Sequence, residues 1–231
     1  MGYVFAAPPQ AVVPVDGTND LFPVHRIYCV GRNYAEHAKE MGFSEREAPF
    51  FFAKPPDAVL PVPFGTTGEL PYPGETSNLH HEIELVVAIG RSGADIAAAD
   101  APKYIYGYAV GLDMTRRDLQ IALRDKGRPW DVAKGFDYSA PISPIKKIGA
   151  TGEMLGAQIW LNVNGERRQA STKAKLIWSV NETIEHLSTF YELRPGDLIY
   201  TGTPEGVGAV KRGDELDGGI EKIGALKVKV V

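Results

Sequence analysis

At 231 residues, with 44% hydrophobic and 23% charged side chains, the chain has room for one sizeable packed domain or two small ones. A formal net charge of −4 and the lack of any long basic run argue against nucleic acid or an anionic membrane as partner, so a negatively charged ligand has to meet a local basic site. The single cysteine, Cys29, rules out an intramolecular disulfide, and its neighbours Ile27, Tyr28 and Val30 make it a core residue.

The first residues lack the basic start and long apolar run of a signal peptide, and no stretch reaches the roughly 20 apolar residues that cross a bilayer, so a cytoplasmic protein is expected. Met1-Gly2 opens a myristoylation motif that fails at Ala6, where Ser or Thr is needed. Residues 1–24, with Pro8, Pro9, Pro14 and Pro23, read as an extended arm with a strand around 11–15, and residues 25–231 as a single domain. Residues 26–30 are the first firm strand, and 31–42 read as a short helix that Asn33 caps, with Glu36 at capping-box spacing and Gly42 as the stop. Residues 50–54 form a strand ended by Pro55-Pro56, and a loop rich in Pro and Gly leads into 80–89.

Residues 104–112 are apolar and aromatic, and 113–124 turn helical, with Thr115 and Asp118 at capping-box spacing and Gly127 and Pro129 ending the helix. Residues 157–163 and 166–169 flank Asn164-Gly165, the strongest hairpin signal in the chain. A helical pattern spans 178–191, a strand follows at 198–201, and strands near 215 and over 226–231 close the chain.

The functional reading turns on residues 80–89, HHEIELVVAI. Side chains alternate along a strand, so Glu82, Glu84, Val86 and Ala88 share one face, and both faces are apolar downstream. A strand covered on both sides cannot leave two ionised carboxylates bare, and hard divalent cations suit them; the plain alternative is a solvated strand end. Asp113, at the end of the next apolar strand, completes a three-carboxylate set that can converge on one ion. No His or Cys set has zinc spacing, and His80 and His81 point to opposite faces.

His37 and Glu40, three apart on one side of the expected helix, make either a general base oriented by a carboxylate or an ordinary surface pair. Arg117 and Gln120, also three apart, and Lys134 beyond them are donors that suit a carboxylate or an oxyanion if a metal lies beside them, and surface polar residues otherwise. The glycine-rich run 200–208 lacks the Gly-Lys-Ser/Thr of a phosphate loop and the full dinucleotide fingerprint; its glycines admit a small anion or serve a tight turn.

Together, Gly31-Arg32-Asn33-Tyr34 with His37, His81-Glu82-Ile83-Glu84-Leu85, Gly111-Leu112-Asp113-Met114-Thr115, and Thr201-Gly202-Thr203-Pro204 with Gly206-Val207-Gly208 resemble the fumarylacetoacetate hydrolase family, nearest its short acylpyruvate-cleaving members. The resemblance implies an α+β fold with a mixed β-sheet roll and flanking helices, a homodimer, and one Mg²⁺ or Mn²⁺ per subunit on Glu82, Glu84 and Asp113. It also implies that His37 with Glu40 activates water, that Lys134 is catalytic, and that Arg117, Gln120 and Thr203 line the substrate site. Where the family's namesake enzyme places a further metal-binding aspartate, this chain has Arg32-Asn33-Tyr34, which points away from fumarylacetoacetate as substrate.

The expected reaction is metal-dependent hydrolysis of a carbon–carbon bond in a β-diketo acid such as fumarylpyruvate, a step in aromatic breakdown. A second carboxylate on that 2-oxo acid needs its own cation, and Arg32, Lys54, Arg116 and Arg128 are the candidates. The same metal-stabilised enolate serves an oxaloacetate decarboxylase or a 2-hydroxymuconate-type isomerase. From a different class, a non-enzymatic calcium-binding β module would use the three carboxylates and have no need of His37, Glu40 or Lys134.

Overall fold

The structure is a computed structural model that describes residues 2–34, 47–154 and 156–231. His37 and Glu40, with most of the expected helix at 31–42, lie outside the described residues.

Two larger sheets, a small three-stranded sheet and a two-stranded ribbon form a mixed, curled β architecture with a few helices, as the α+β expectation required. In the eight-stranded sheet, Phe50–Lys54, Ile27–Gly31, Leu198–Tyr200, Ile83–Ile89 and Ile105–Leu112 lie side by side in that order. Leu198–Tyr200 runs parallel to Ile27–Gly31 and antiparallel to Ile83–Ile89, so the sheet is mixed at its centre. The five-stranded sheet holds the hairpin Gln158–Val163 and Glu166–Thr172, with Asn164 and Gly165 both at positive φ (52° and 81°) as a two-residue primed turn demands. A capping box between Ser179 and Glu182 starts the helix Val180–Phe190.

Strand Ile83–Ile89 is buried along its whole length because each face meets a different core. Ile83, Leu85, Val87 and Ile89 pack into the larger apolar cluster, and Val86 and Ala88 into a second one with Ile27, Cys29, Ala109 and Tyr200. Glu84 therefore points, by alternation, to the same side as Val86, at the mouth of the second core. The arm expected over 1–24 contributes to that core: Val12–Pro14 pairs with Leu21–Pro23, and Val13, Val15, Phe22 and Val24 are buried in it.

Two local expectations differ. The strand expected over 80–89 breaks at Glu82: Leu79–His81 joins the small sheet, and Ile83–Ile89 the large one. The helix expected over 113–124 begins only at Arg117, and the Thr115 and Asp118 side chains do not form a capping box. Thr115 sits in a short strand opposite His80 and its hydroxyl donates to Asp113 O, and Asp118 accepts from Thr76 Oγ1 and Ser77 N, so more distant partners outbid the local cap. Asn33 donates to Trp178 O and Thr201 O and accepts from Trp178 N, and the helix it is expected to cap lies outside the described residues.

Gly111 lies opposite Glu84, where an added Cβ would come 2.5 Å from Val86 Cγ2 and 2.6 Å from Tyr200 Cε1. Gly111→Ala is expected to lower the unfolding free energy by about 1–3 kcal/mol through overpacking, read as a lower urea midpoint at unchanged slope.

Candidate metal centre

The break at Glu82 creates the site. Glu82 ends one sheet's strand and Glu84 lies in the next, and the Asp113 N–H donates to Glu82 O at 2.8 Å, which ties the end of Ile105–Leu112 to the junction. Ligand atoms of Glu82, Glu84 and Asp113 lie within 4.8 Å of one another, and the three residues are 5%, 2% and 1% exposed.

Burying three carboxylates together needs compensation. Lys134 Nζ, itself buried, donates to Glu82 Oε2 and to Asp113 Oδ2, both at 2.7 Å. Burial opposes its charge, yet Asp113 and Glu82 outweigh burial and hold the ammonium above its usual pKa. Arg117 Nη2 donates to Glu82 Oε1, and its Nη1 to Gln120 Oε1. Lys54 Nζ is 2.8 Å from Asp113 Oδ1 and donates to Lys134 O and Met114 O. Three carboxylates thus meet three cationic side chains, and a bound divalent ion would leave the cleft net positive, matched to an anionic substrate.

The residues fit a divalent cation. Asp113 Oδ1, though near Lys54, makes no hydrogen bond of acceptable geometry, and Glu84 accepts one backbone hydrogen bond, from Gly202 N at 2.7 Å. Burial, then Asp113 and Glu82, push the Glu84 carboxyl well above the usual carboxylate range. Three hard oxygen donors converging with unspent lone pairs are what Mg²⁺ or Mn²⁺ takes.

The glycine-rich run supplies the opposite wall. Beyond Tyr200, Thr201 N and Oγ1 both donate to Leu85 O (3.0 and 2.9 Å), and Thr203 Oγ1 donates to Ile83 O at 2.8 Å. Gly202, at φ 99°, passes where a Cβ would lie 2.7 Å from Asn33 Cβ, and so aims its N–H at Glu84. Arg32, Phe52, Trp130, Arg117, Gln120 and Thr203 line the cleft around the carboxylates.

Of the residues expected at the site, Glu82, Glu84, Asp113, Lys134, Arg32, Arg117, Gln120 and Thr203 converge on this cleft. Lys54, expected as a cation for a distant carboxylate, is instead buried against Asp113, because Pro55 ends its strand with the ammonium turned inward. Sequence reasoning missed Trp130 and the buried Gln169.

A curled mixed sheet with buried hard-oxygen ligands, ringed by lysine and arginine, defines a divalent-metal enzyme for an anionic, oxygen-rich substrate. Residues 26–231 match the family described as fumarylacetoacetate (FAA) hydrolase C-terminal, and the chain belongs to that family. It is 50% identical over 184 residues to fumarylpyruvate hydrolase of Ralstonia sp, covering 80% of this chain and 93% of that protein. The crystal structure of fumarylpyruvate hydrolase from Pseudomonas aeruginosa in complex with Mn²⁺ and pyruvate is 56% identical, with TM-score 0.98, and covers 100% of this chain and 99% of that one. The mitochondrial oxaloacetate tautomerase of Rattus norvegicus is 42% identical over 204 residues, covering 88% and 90%.

Glu84→Gln should abolish Mn²⁺ binding in titration calorimetry while the protein stays folded. Without metal it should melt higher than wild type, since the substitution removes a buried charge, and unlike wild type it should gain no stability when Mn²⁺ is added.

Proposed function

We propose that the chain hydrolyses fumarylpyruvate to fumarate and pyruvate with Mg²⁺ or Mn²⁺. The reading is carried by three buried carboxylates opening into a cation-lined cleft, in a chain closely similar to fumarylpyruvate hydrolases, one of them solved with Mn²⁺ and pyruvate. A structural calcium module would have no use for Lys134 and Arg117 at its ligands.

Glu82, Glu84 and Asp113 would hold the divalent cation, which when bound would supply a Lewis acid for the 2-oxo acid end and for the departing enolate. His37, oriented by Glu40, takes a proton from water, and the resulting hydroxide adds to the acyl carbonyl remote from the 2-oxo acid. The carbon–carbon bond next to that carbonyl then breaks, its electron pair passing to the pyruvate enolate, whose carbon takes up the proton that His37 received from water. Lys134 keeps Glu82 and Asp113 at fixed separation, and Arg117 with Gln120 fixes the other edge of Glu82.

The distal carboxylate of the substrate falls to Arg32. Lys54 is committed to Asp113, and Arg116 donates to Val132 O and stacks on Phe136 at 4.7 Å. Arg128 lines a separate aromatic hollow beside Trp130. Arg32 lines the cleft itself, on a left-handed backbone (φ 56°), with its guanidinium 5.4 Å from the centre of the Phe50 ring. Phe52 and Trp130, packed edge to face at 5.8 Å, form an apolar wall suited to an enoyl group. A homodimer in the cytoplasm, acting in aromatic catabolism, completes the reading.

Oxaloacetate chemistry is the second reading, favoured by the 42% identity to an oxaloacetate tautomerase. Loss of near-ultraviolet absorbance on cleavage discriminates: fumarylpyruvate should be cleaved faster than acetylpyruvate, in a chelator-sensitive reaction that Mn²⁺ restores, and turnover of oxaloacetate alone would overturn the assignment. Arg32→Gln should lower kcat/KM for fumarylpyruvate at least about tenfold while acetylpyruvate changes less than about threefold. His37→Ala should lower kcat by about 10²- to 10⁴-fold and leave Mn²⁺ affinity unchanged.

A further inference from the structure

Gln169 carries no charge and is absent from the cleft lining, yet it is 0% exposed and its amide meets four partners. It comes from the five-stranded sheet, where the register passes from Leu161 opposite Gln169 to Asn162 opposite Arg167. Arg168 is thus the extra residue of a β-bulge, a device that re-aims neighbouring side chains. The glycine-rich run is seated on that bulge: Gly206, at φ 87°, passes where a Cβ would lie 2.0 Å from Arg168 O.

Strand Leu198–Tyr200 pairs with Ile83–Ile89 only as far as Val86, so Ile83 at the site end has no strand on that side. Side chains replace the missing strand. Gln169 Oε1 accepts from Ile83 N at 3.2 Å, and Thr203 Oγ1 donates to Ile83 O at 2.8 Å. Gln169 Nε2 donates to Thr203 Oγ1 and to Pro204 O, both at 2.8 Å. The remaining partner, His81 Nδ1, lies 3.0 Å from Gln169 Oε1; that oxygen can only accept, so His81 carries its proton on Nδ1.

This network sets the direction of the Thr203 hydroxyl. A hydroxyl has one proton and two lone pairs, and here the proton is spent on Ile83 O and one lone pair on Gln169. One lone pair is left for the cleft. Thr203 therefore meets a substrate as an acceptor, suited to the O–H of an enol tautomer and unable to donate to a carboxylate. We propose that Gln169 is a positioning residue: it locks the Thr203–Pro204 turn in register with the strand bearing Glu84 and fixes Thr203 as an acceptor facing the substrate.

The proposal rests on the fumarylpyruvate reading for its activity arm only. Gln169→Leu and Thr203→Val should each lower kcat/KM about tenfold, and the double variant should lose about tenfold as well, because both break one unit. Mn²⁺ affinity should stay within about threefold in all of them, since the carboxylates keep their own partners. Should Gln169→Leu fail to fold, Gln169→Glu is decisive: it retains the acceptor for Ile83 and His81 and turns the donor facing Thr203 into an acceptor, so the same tenfold loss is expected. Single losses under twofold, or single losses that multiply in the double variant, would overturn the proposal. Without turnover, ¹⁵N shifts of the Mg²⁺-loaded protein should show His81 protonated on Nδ1 in wild type and redistributed in Gln169→Leu; an unchanged tautomer would overturn it too. A wild type inert toward fumarylpyruvate would sink the substrate reading and leave the tautomer result to decide this one.

Discussion

Three carboxylates buried within a few ångströms of each other are the constraint to which the rest of this structure answers. Uncompensated, such a cluster would cost more than a domain's whole stability margin. The fold meets it by importing cations from separate segments: Lys54 from the edge strand, Arg117 from the first turn of its helix and Lys134 from the short helix after it. Lys54 also donates to Lys134 O and Met114 O, so the cations are tied to the backbone that bears their neighbours. Glu84 alone has a backbone N–H in place of a cationic partner, and its carboxyl is the one pushed well up by burial. The electrostatic demand for a metal is therefore concentrated at one residue.

That demand also explains the irregular backbone. A continuous strand over 80–89 would place Glu82 and Glu84 on one face at a fixed spacing and leave Asp113 to a neighbouring strand. Breaking at Glu82 lets its carbonyl take the Asp113 N–H and lets its carboxylate meet both Lys134 and Arg117. Ile83 lies beyond the last residue that Leu198–Tyr200 reaches, and the chain fills that side with Gln169 and Thr203 in place of strand backbone. Gly202 and Gly206 are required on the same ground, since any Cβ would collide with Asn33 or with Arg168 O. Strain and substitution here are local consequences of gathering the ligands.

How far the site could be read in advance follows from the range of each interaction. Glu82 and Glu84 were legible because alternation places side chains over two-residue steps, and Asp113 because a strand end is marked by the change from apolar run to helix former. The Asn164-Gly165 turn was legible for the same reason: both residues tolerate positive φ. Asp118 was misread because a short polar side chain serves distant partners as readily as a local cap, and nothing in the sequence shows that Thr76 and Ser77 will arrive. Lys54 was misassigned because inward rotation of an ammonium depends on the carboxylate it meets, 59 residues later in the chain. Gln169 carried no signal at all, since its inward aim follows from a bulge that hairpin periodicity does not reveal.

The same physics separates what relatives of this chain share from what divides them. On the proposed reading the metal ligands serve the 2-oxo acid end, which hydrolysis, decarboxylation and tautomerisation all present. Conversion of the scaffold between these reactions therefore needs no change at Glu82, Glu84, Asp113 or Lys134. It needs change where the acyl group lies, which on the proposed reading is the wall of Phe52 and Trp130 with Arg32 at its rim. Those residues come from a turn after one strand, the middle of an edge strand and the loop behind a helix, none of which bears a metal ligand. The metal ligands can thus be kept while the wall changes, within one limit: the Phe52 ring lies 5.1 Å from Lys134 Nζ, so a change there also reaches a cation of the charge cluster.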